Sequence, residues 1–272
     1  MIWRRIWSLV IKDFKDYTKS KYVLISIIVL PIILGILVPF EVLLYSGSFR
    51  TGATFGSGFG QFMDKVLSRV VSDWAMFTDQ AKALISLSYI MLLVVSMIPI
   101  IITSVIASET IAGEKERKTI ESLLASPLRE SEIVTGKIIS SFIPSMVATF
   151  ISVVSFSIVM DILLYPHIGR IFFPEVFTVI ILFVISPLIT ILAVELLIMI
   201  STRVSTVRDA NQLGGILLIP LIMVVLGFLS LYFFNSLLGL KLTPIVLIII
   251  DLLFYKLSTN IFQRERALTK LV

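Results

Sequence analysis

ALISLSYIMLLVVSMIPIIITSVIA, residues 83–107, runs through 25 positions without a charged side chain. In a helix about 20 apolar residues cross the ~30 Å hydrocarbon core of a bilayer. The run is apolar all round and lacks the strict alternation of a barrel strand, so it reads as a transmembrane helix. Five further runs have comparable length and polarity, at 22–45, 138–160, 176–201, 213–234 and 243–261. In hydrocarbon the backbone must satisfy its own hydrogen bonds, which leaves helices as the economical structure.

Composition agrees with this reading. Hydrophobic residues make up 57% of the 272-residue chain and charged residues 15%, with a mean hydropathy of +1.04. Soluble domains hold about 45–50% and about 25%, so a water-soluble fold could not hide this much apolar surface. The expected fold is all-α, a polytopic integral membrane protein with six transmembrane helices. Its parts are an amphipathic interfacial helix at 1–21, a six-helix domain at 22–261 and a tail at 262–272. Within the six-helix domain lie a long loop on one side at 46–82 and another on the opposite side at 108–137. The first run follows a polar and amphipathic segment, the wrong flank for a cleaved secretory signal, and is expected to remain as a span.

The net charge of +5 has a topological reading. Segments 1–21, 108–137, 202–212 and 256–272 carry 17 of the 23 Lys and Arg, and the alternate side carries 6. Excess cations mark the cytoplasmic side, so both termini and loop 108–137 are expected inside a plasma membrane and loop 46–82 outside. No role in nucleic-acid binding is expected. The chain has no cysteine, which excludes disulfides and thiolate metal sites. With His167 as the single histidine, no nucleophile–base pair or metal cluster is visible, and no enzyme activity is expected.

Trp3, Ile6, Trp7, Val10, Phe14 and Tyr17 recur at helical spacing, with Arg4, Arg5, Lys12 and Lys15 on the other flank. This pattern predicts a helix lying in the membrane plane. In the outer loop, Phe62, Val66, Val70, Trp74 and Phe77 mark one face of a second amphipathic helix. The preceding GSGFG (56–60) is read as a flexible linker. Glu195 and Asp251 lie deep within the fourth and sixth runs. A buried ionised carboxylate costs roughly 2.5–3.5 kcal/mol even on insertion scales, so both are expected to face the bundle interior. Two roles are open for them, an interhelical hydrogen bond or a contact on a substrate or cation pathway. Pro31, Pro99, Pro144, Pro187 and Pro220 interrupt spans, and Gly214 and Gly215 begin the fifth.

The most patterned segment is SETIAGEKERKTIESLLASPLRESEIVTGK, residues 108–137. From Glu114 onward, Ile120, Leu123, Leu124 and Leu128 form an apolar stripe within a dense mixture of charges. Ser126 and Pro127 fit an N-cap followed by Pro at the first helical position, and Ser131 and Glu132 fit a second start. The pattern describes a helical elbow on the inner membrane face. Spacing alone does not distinguish a solvated loop helix from a docking element.

Taken together, GEKER (113–117), LLASP (123–127), Glu132-Ile133 and Gly136-Lys137 resemble the signature region of type-2 ATP-binding-cassette (ABC) permeases. That family often has Gly where Lys118 stands and Leu where Ile120 stands. The resemblance extends more weakly to Ser201, Arg203 and 208–212, and to Phe262 with Arg264 and Glu265. It implies an exporter permease of six spans, paired with a second permease subunit as a homo- or heterodimer and driven by separate cytosolic ATPases. The residues it implies for ATPase coupling are Gly113, Glu114, Glu116, Arg117, Ile120, Glu121, Leu123, Leu124, Pro127 and Glu132. ATP and Mg are expected on the partner ATPase and no cofactor on this chain. Consistently, no G-x-x-x-x-G-K-[ST] loop occurs, since Gly136-Lys137 is followed by Ile138. A different mechanism would be an ion-coupled secondary transporter that uses Glu195 and Asp251.

Overall fold

The computed structural model describes residues 2–50, 57–71, 73–234 and 236–269, and among these no strand occurs. Most of the linker expected at 56–60 is described as helix, whereas residues 51–56 lie outside the described part. The side chains of Leu124, Phe262, Arg264 and Glu265 also lie outside it.

The chain runs through α1 (Ile2–Lys19), α2 (Lys21–Arg50) and α3 (Ser57–Val70) to a 3₁₀ turn at Trp74–Met76. The next helices are α4 (Asp79–Val95), α5 (Ile98–Glu116), the short α6 (Ile120–Leu124) and the 39-residue α7 (Glu130–Ile168). Helices α8 (Val176–Ile180) and α9 (Ser186–Ser201) follow, joined by one π-helical segment, Ile181–Ile185. Last come α10 (Val207–Phe234) and α11 (Ser236–Thr269).

Among the described residues four segments are long and apolar enough to cross a membrane: Val23–Glu41, Glu130–Ile168, Val176–Ser201 and Leu242–Ile261. The second expected span is divided in two. Pro99 has no N–H and cannot continue a helix from the preceding turn, so the ladder ends at Ser96 and Met97 and α5 restarts with Pro in its first turn. The fourth is continuous but wound wider ahead of Pro187, where the Ser186 N–H reaches back to the carbonyl of Ile181.

Helices α2 and α7 approach closely where Gly35 meets Ser152 and Ser155. Ser141, Ser145, Ala148 and Ser152 form a buried stripe on α7 at spacings of four, three and four. A Cβ on Gly35 of α2 would lie 2.7 Å from the Ser152 carbonyl oxygen, so only glycine permits this approach. Without a hydrophobic force between helices in lipid, close backbone contact of this kind holds spans together. The outer faces are the reverse. Ile25, Leu37, Phe183 and Leu252 are each more than half exposed, an apolar surface that lipid can cover and water cannot.

The amphipathic segments dock more deeply than their patterns predict. On α1 the buried stripe is Ile6, Leu9, Val10, Asp13 and Tyr17, while Trp3 and Trp7 stand exposed. On α3 the buried side chains are Met63, Val66 and Leu67, and Phe62, expected on that face, points outward. Trp74 closes this subdomain by donating its indole N–H to Asp64 at 2.7 Å.

The elbow begins differently from the expectation. Ser126 does not cap a new helix; its hydroxyl donates to the Leu123 carbonyl at 2.6 Å and closes α6. Pro127 therefore follows a helix end, where Pro is common. Nor does Ser131 cap α7, which starts at Glu130 with the Glu132 carboxylate accepting the Arg129 N–H at 2.8 Å.

Candidate functional site: the elbow and its ionic anchor

The signature motifs, separated in sequence, meet at one end of the bundle. Lys137, the last residue of the elbow pattern, is 1% exposed inside α7. Its ammonium donates to Asp13 Oδ1 of α1 and to Glu114 Oε1 of α5, each at 2.9 Å. Lys12 pairs with the same Glu114 oxygen. Ser140 donates to Asp13 Oδ2 at 2.9 Å, and the Tyr17 hydroxyl reaches Ser140 at 3.4 Å. Two cations and two carboxylates thus form a neutral cluster that ties α1, α5 and α7 together. Burial pushes the Asp13 carboxyl above its ordinary range, opposed by the Lys137 ammonium beside it. Burial also drives the Tyr17 phenol upward, so it remains a neutral donor.

Gly136 has a separate reason to be small. A Cβ there would lie 2.7 Å from Leu9 Cδ2, so α1 rests directly on the α7 backbone one residue from the Lys137 pair.

The remaining GEKER side chains tie the elbow to the rest of the bundle. Lys115 donates to the Thr202 carbonyl, beyond α9. Glu116 accepts the Val207 N–H at the start of α10 at 3.1 Å, and Arg117 pairs with Glu109 farther back along α5. Lys118 sits at φ 58, the left-handed region where glycine carries no steric penalty. This is the position at which the resembled family often has glycine.

Of the residues implied for coupling, Gly113, Glu114, Leu123 and Glu132 are turned into the fold and Ile120 is partly buried. Leu123 and Ile120 pack with Ile111, Ile133, Val194 and Ile198. Glu116, Arg117, Glu121 and Pro127 are exposed, together with Lys118, Ser122 and Ala125, which the motif reading did not select. Among the described side chains, the outward face of the elbow is therefore mostly polar and charged.

Asp13 and Lys12 were not among the site residues read from sequence. The signal was present: Ile6, Val10, Asp13 and Tyr17 share one stripe of α1, and an acid in an apolar stripe requires a buried partner.

Farther into the bundle, Glu195 on α9 and Asp251 on α11 are both buried, on helices that pack against each other. Glu195 Oε2 and Asp251 Oδ1 have no hydrogen-bond partner among the described residues. An interhelical bond to these two oxygens is therefore missing from the described packing.

No curated protein matches the chain. A family model described as ABC-2 family transporter protein matches residues 7–258, from within α1 to within α11. The match takes in the anchor, the elbow and both buried acids, and on that coverage the chain belongs to the ABC-2 transporter family, as a membrane-embedded permease component.

Proposed function

We propose that the chain is the permease subunit of an ATP-driven exporter, working beside a second permease subunit and taking mechanical force from separate cytosolic ATPases at 116–129. The observation that carries this reading is the elbow: a short polar surface held to three helices by a buried ion cluster. A soft loop would absorb a push, whereas this one is joined to α1, α5 and α7 at Lys137 and to α10 through Glu116. Movement imposed on α6 would be carried into the spans. The buried oxygens of Glu195 and Asp251 support a role for these acids in contacting a polar or cationic cargo.

The test is copurification of the tagged permease with its ATPase from the native membrane, followed by ATP-dependent transport. Replacing Glu121 and Leu124 by Ala should weaken association by about thirtyfold, since truncating an interface anchor costs ~2 kcal/mol. Membrane insertion should be unchanged. Replacing Lys65 and Arg69 by Ala, on α3 at the opposite end, should leave association intact. Full association and transport by the Glu121/Leu124 variant would overturn the assignment of this loop. Transport with no ATPase present would favour an ion-coupled carrier using Glu195 and Asp251.

A further inference from the structure

At the end of α9, where the chain turns into α10, the surface opens into a cavity of about 660 Å³. Its polar part is lined by Lys115, Thr202, Arg203, Asp209 and Gln212. A second cavity of about 380 Å³ shares Arg203, Leu213 and Ile216 with it and continues against Leu196, Met199 and Ile200. Arg203 stands at the junction, with a polar chamber on one side and an apolar trough on the other.

The charges are unequal. Lys115 is held by the Thr202 carbonyl, which fixes its ammonium at the rim. Arg203 is exposed and forms no salt bridge among the described residues. Among the described residues Asp209 is the single acid on the wall, so that lining carries one net positive charge. In the trough, Leu213 is 46% and Ile216 62% exposed. An arginine above exposed apolar side chains, at the depth where spans end, complements a molecule with an anionic head and a hydrocarbon chain.

We infer that this paired cavity is a binding site for an anionic phospholipid of the inner leaflet, its phosphate on Arg203 and its acyl chain along Leu213 and Ile216. The leaflet assignment rests on the permease topology proposed above; the lipid chemistry rests on the cavity alone. Basic pockets between spans on the cytoplasmic side bind anionic headgroups, and each Lys or Arg near the surface contributes about 1 kcal/mol.

The experiment uses the full chain without any ATPase, so its failure would leave the permease reading standing. The protein is placed in nanodiscs of mixed phosphatidylcholine and phosphatidylglycerol, and lipids retained on extraction are counted by native mass spectrometry. A phosphatidylglycerol with a photoreactive acyl chain is then cross-linked and mapped to peptides. Phosphatidylglycerol should be retained selectively, and cross-links should fall on 196–216. Arg203→Gln should weaken retention about fivefold, the equivalent of about 1 kcal/mol. Arg203→Lys should restore most of it. Arg208→Gln, a neighbouring cation outside the lining, should have no effect, and Ile216→Trp should reduce acyl cross-linking by filling the trough. Equal retention of the two lipids would overturn the inference. So would equal losses for Arg203→Gln and Arg208→Gln, or cross-links that avoid 196–216.

Discussion

Lys137 sits between two carboxylates at 2.9 Å in a site almost closed to water. Removing one partner of a buried ion pair leaves the other charge unsolvated, which costs about 3–5 kcal/mol. Lys137→Met should therefore lower the stability of the detergent-solubilised protein by about 3 kcal/mol or more, measured by thermal unfolding. Asp13→Asn removes one of the two acids and should reduce the penalty of Lys137→Met when the two are combined. The pair should be non-additive by at least about 1 kcal/mol, because residues in direct contact couple. Strict additivity would mean that Asp13 and Lys137 do not share the cluster. The motif pattern marks Glu114 and Gly136-Lys137 in the sequence, but not their partner. Asp13 is more than 100 residues away in sequence, and pairing at that separation leaves only an indirect trace, an acid where the stripe calls for an apolar side chain.

At the scale of elements, periodicity located nearly every helix but not how it ends. Pro99 was visible, yet whether a proline bends or breaks a span depends on what satisfies the freed carbonyls, and that is a tertiary matter. The caps of α6 and α7 failed for a related reason: a serine hydroxyl can bond backward or forward, and Ser126 bonds backward to Leu123. The start of α8 offers a test of such local chemistry. Glu175 occupies its N-cap position without a side-chain capping bond, and its Oε2 is buried with no hydrogen-bond partner among the described residues. Burial pushes its carboxyl up to about 7 from 4.5. The folded chain thus keeps a proton that the unfolded chain has already released, so this group's contribution to stability falls as pH rises from 4.5 to about 7. Glu175→Gln should match the parent protein near pH 4.5 and exceed it at pH 8 by about 1 kcal/mol, less than the bare conversion of the shift because the group is partly exposed. The difference in unfolding temperature at the two pH values is the measurement. A constant difference would show that Glu175 titrates normally.

For the whole molecule, the contacts sort the segments between helices into two poles that match the charge asymmetry. One pole gathers α1, the elbow and residues 202–207 through the Lys137 cluster, the Lys115 bond and the Glu116 bond. The base of α11 joins it through Tyr255, whose hydroxyl bonds Thr135 at 3.0 Å. The other pole gathers the turn after α3 and the turn after α7, where Arg170 pairs with Asp73 at 3.4 Å and lies over Phe77. On this arrangement α2, α4 with α5, α7, and the stretch from α8 to α9 are each expected to make one crossing from pole to pole. The divided second span therefore counts once, although neither half is long and apolar enough by itself. With α10 leaving the first pole and α11 returning to it, six crossings are expected. The first pole holds most of the 17 clustered cations, so it is expected on the cytoplasmic side. Because the chain has no cysteine, single cysteines at positions 2, 56 and 270 can be labelled without background. In oriented vesicles a membrane-impermeant maleimide should reach positions 2 and 270 only from the cytoplasmic side and position 56 only from the other. Reaction of position 56 from the cytoplasmic side would invert the assignment of poles and remove the elbow from the reach of any cytosolic ATPase. Opposite sides for positions 2 and 270 would mean an odd number of crossings, and the pairing of α10 with α11 would then be the step that failed.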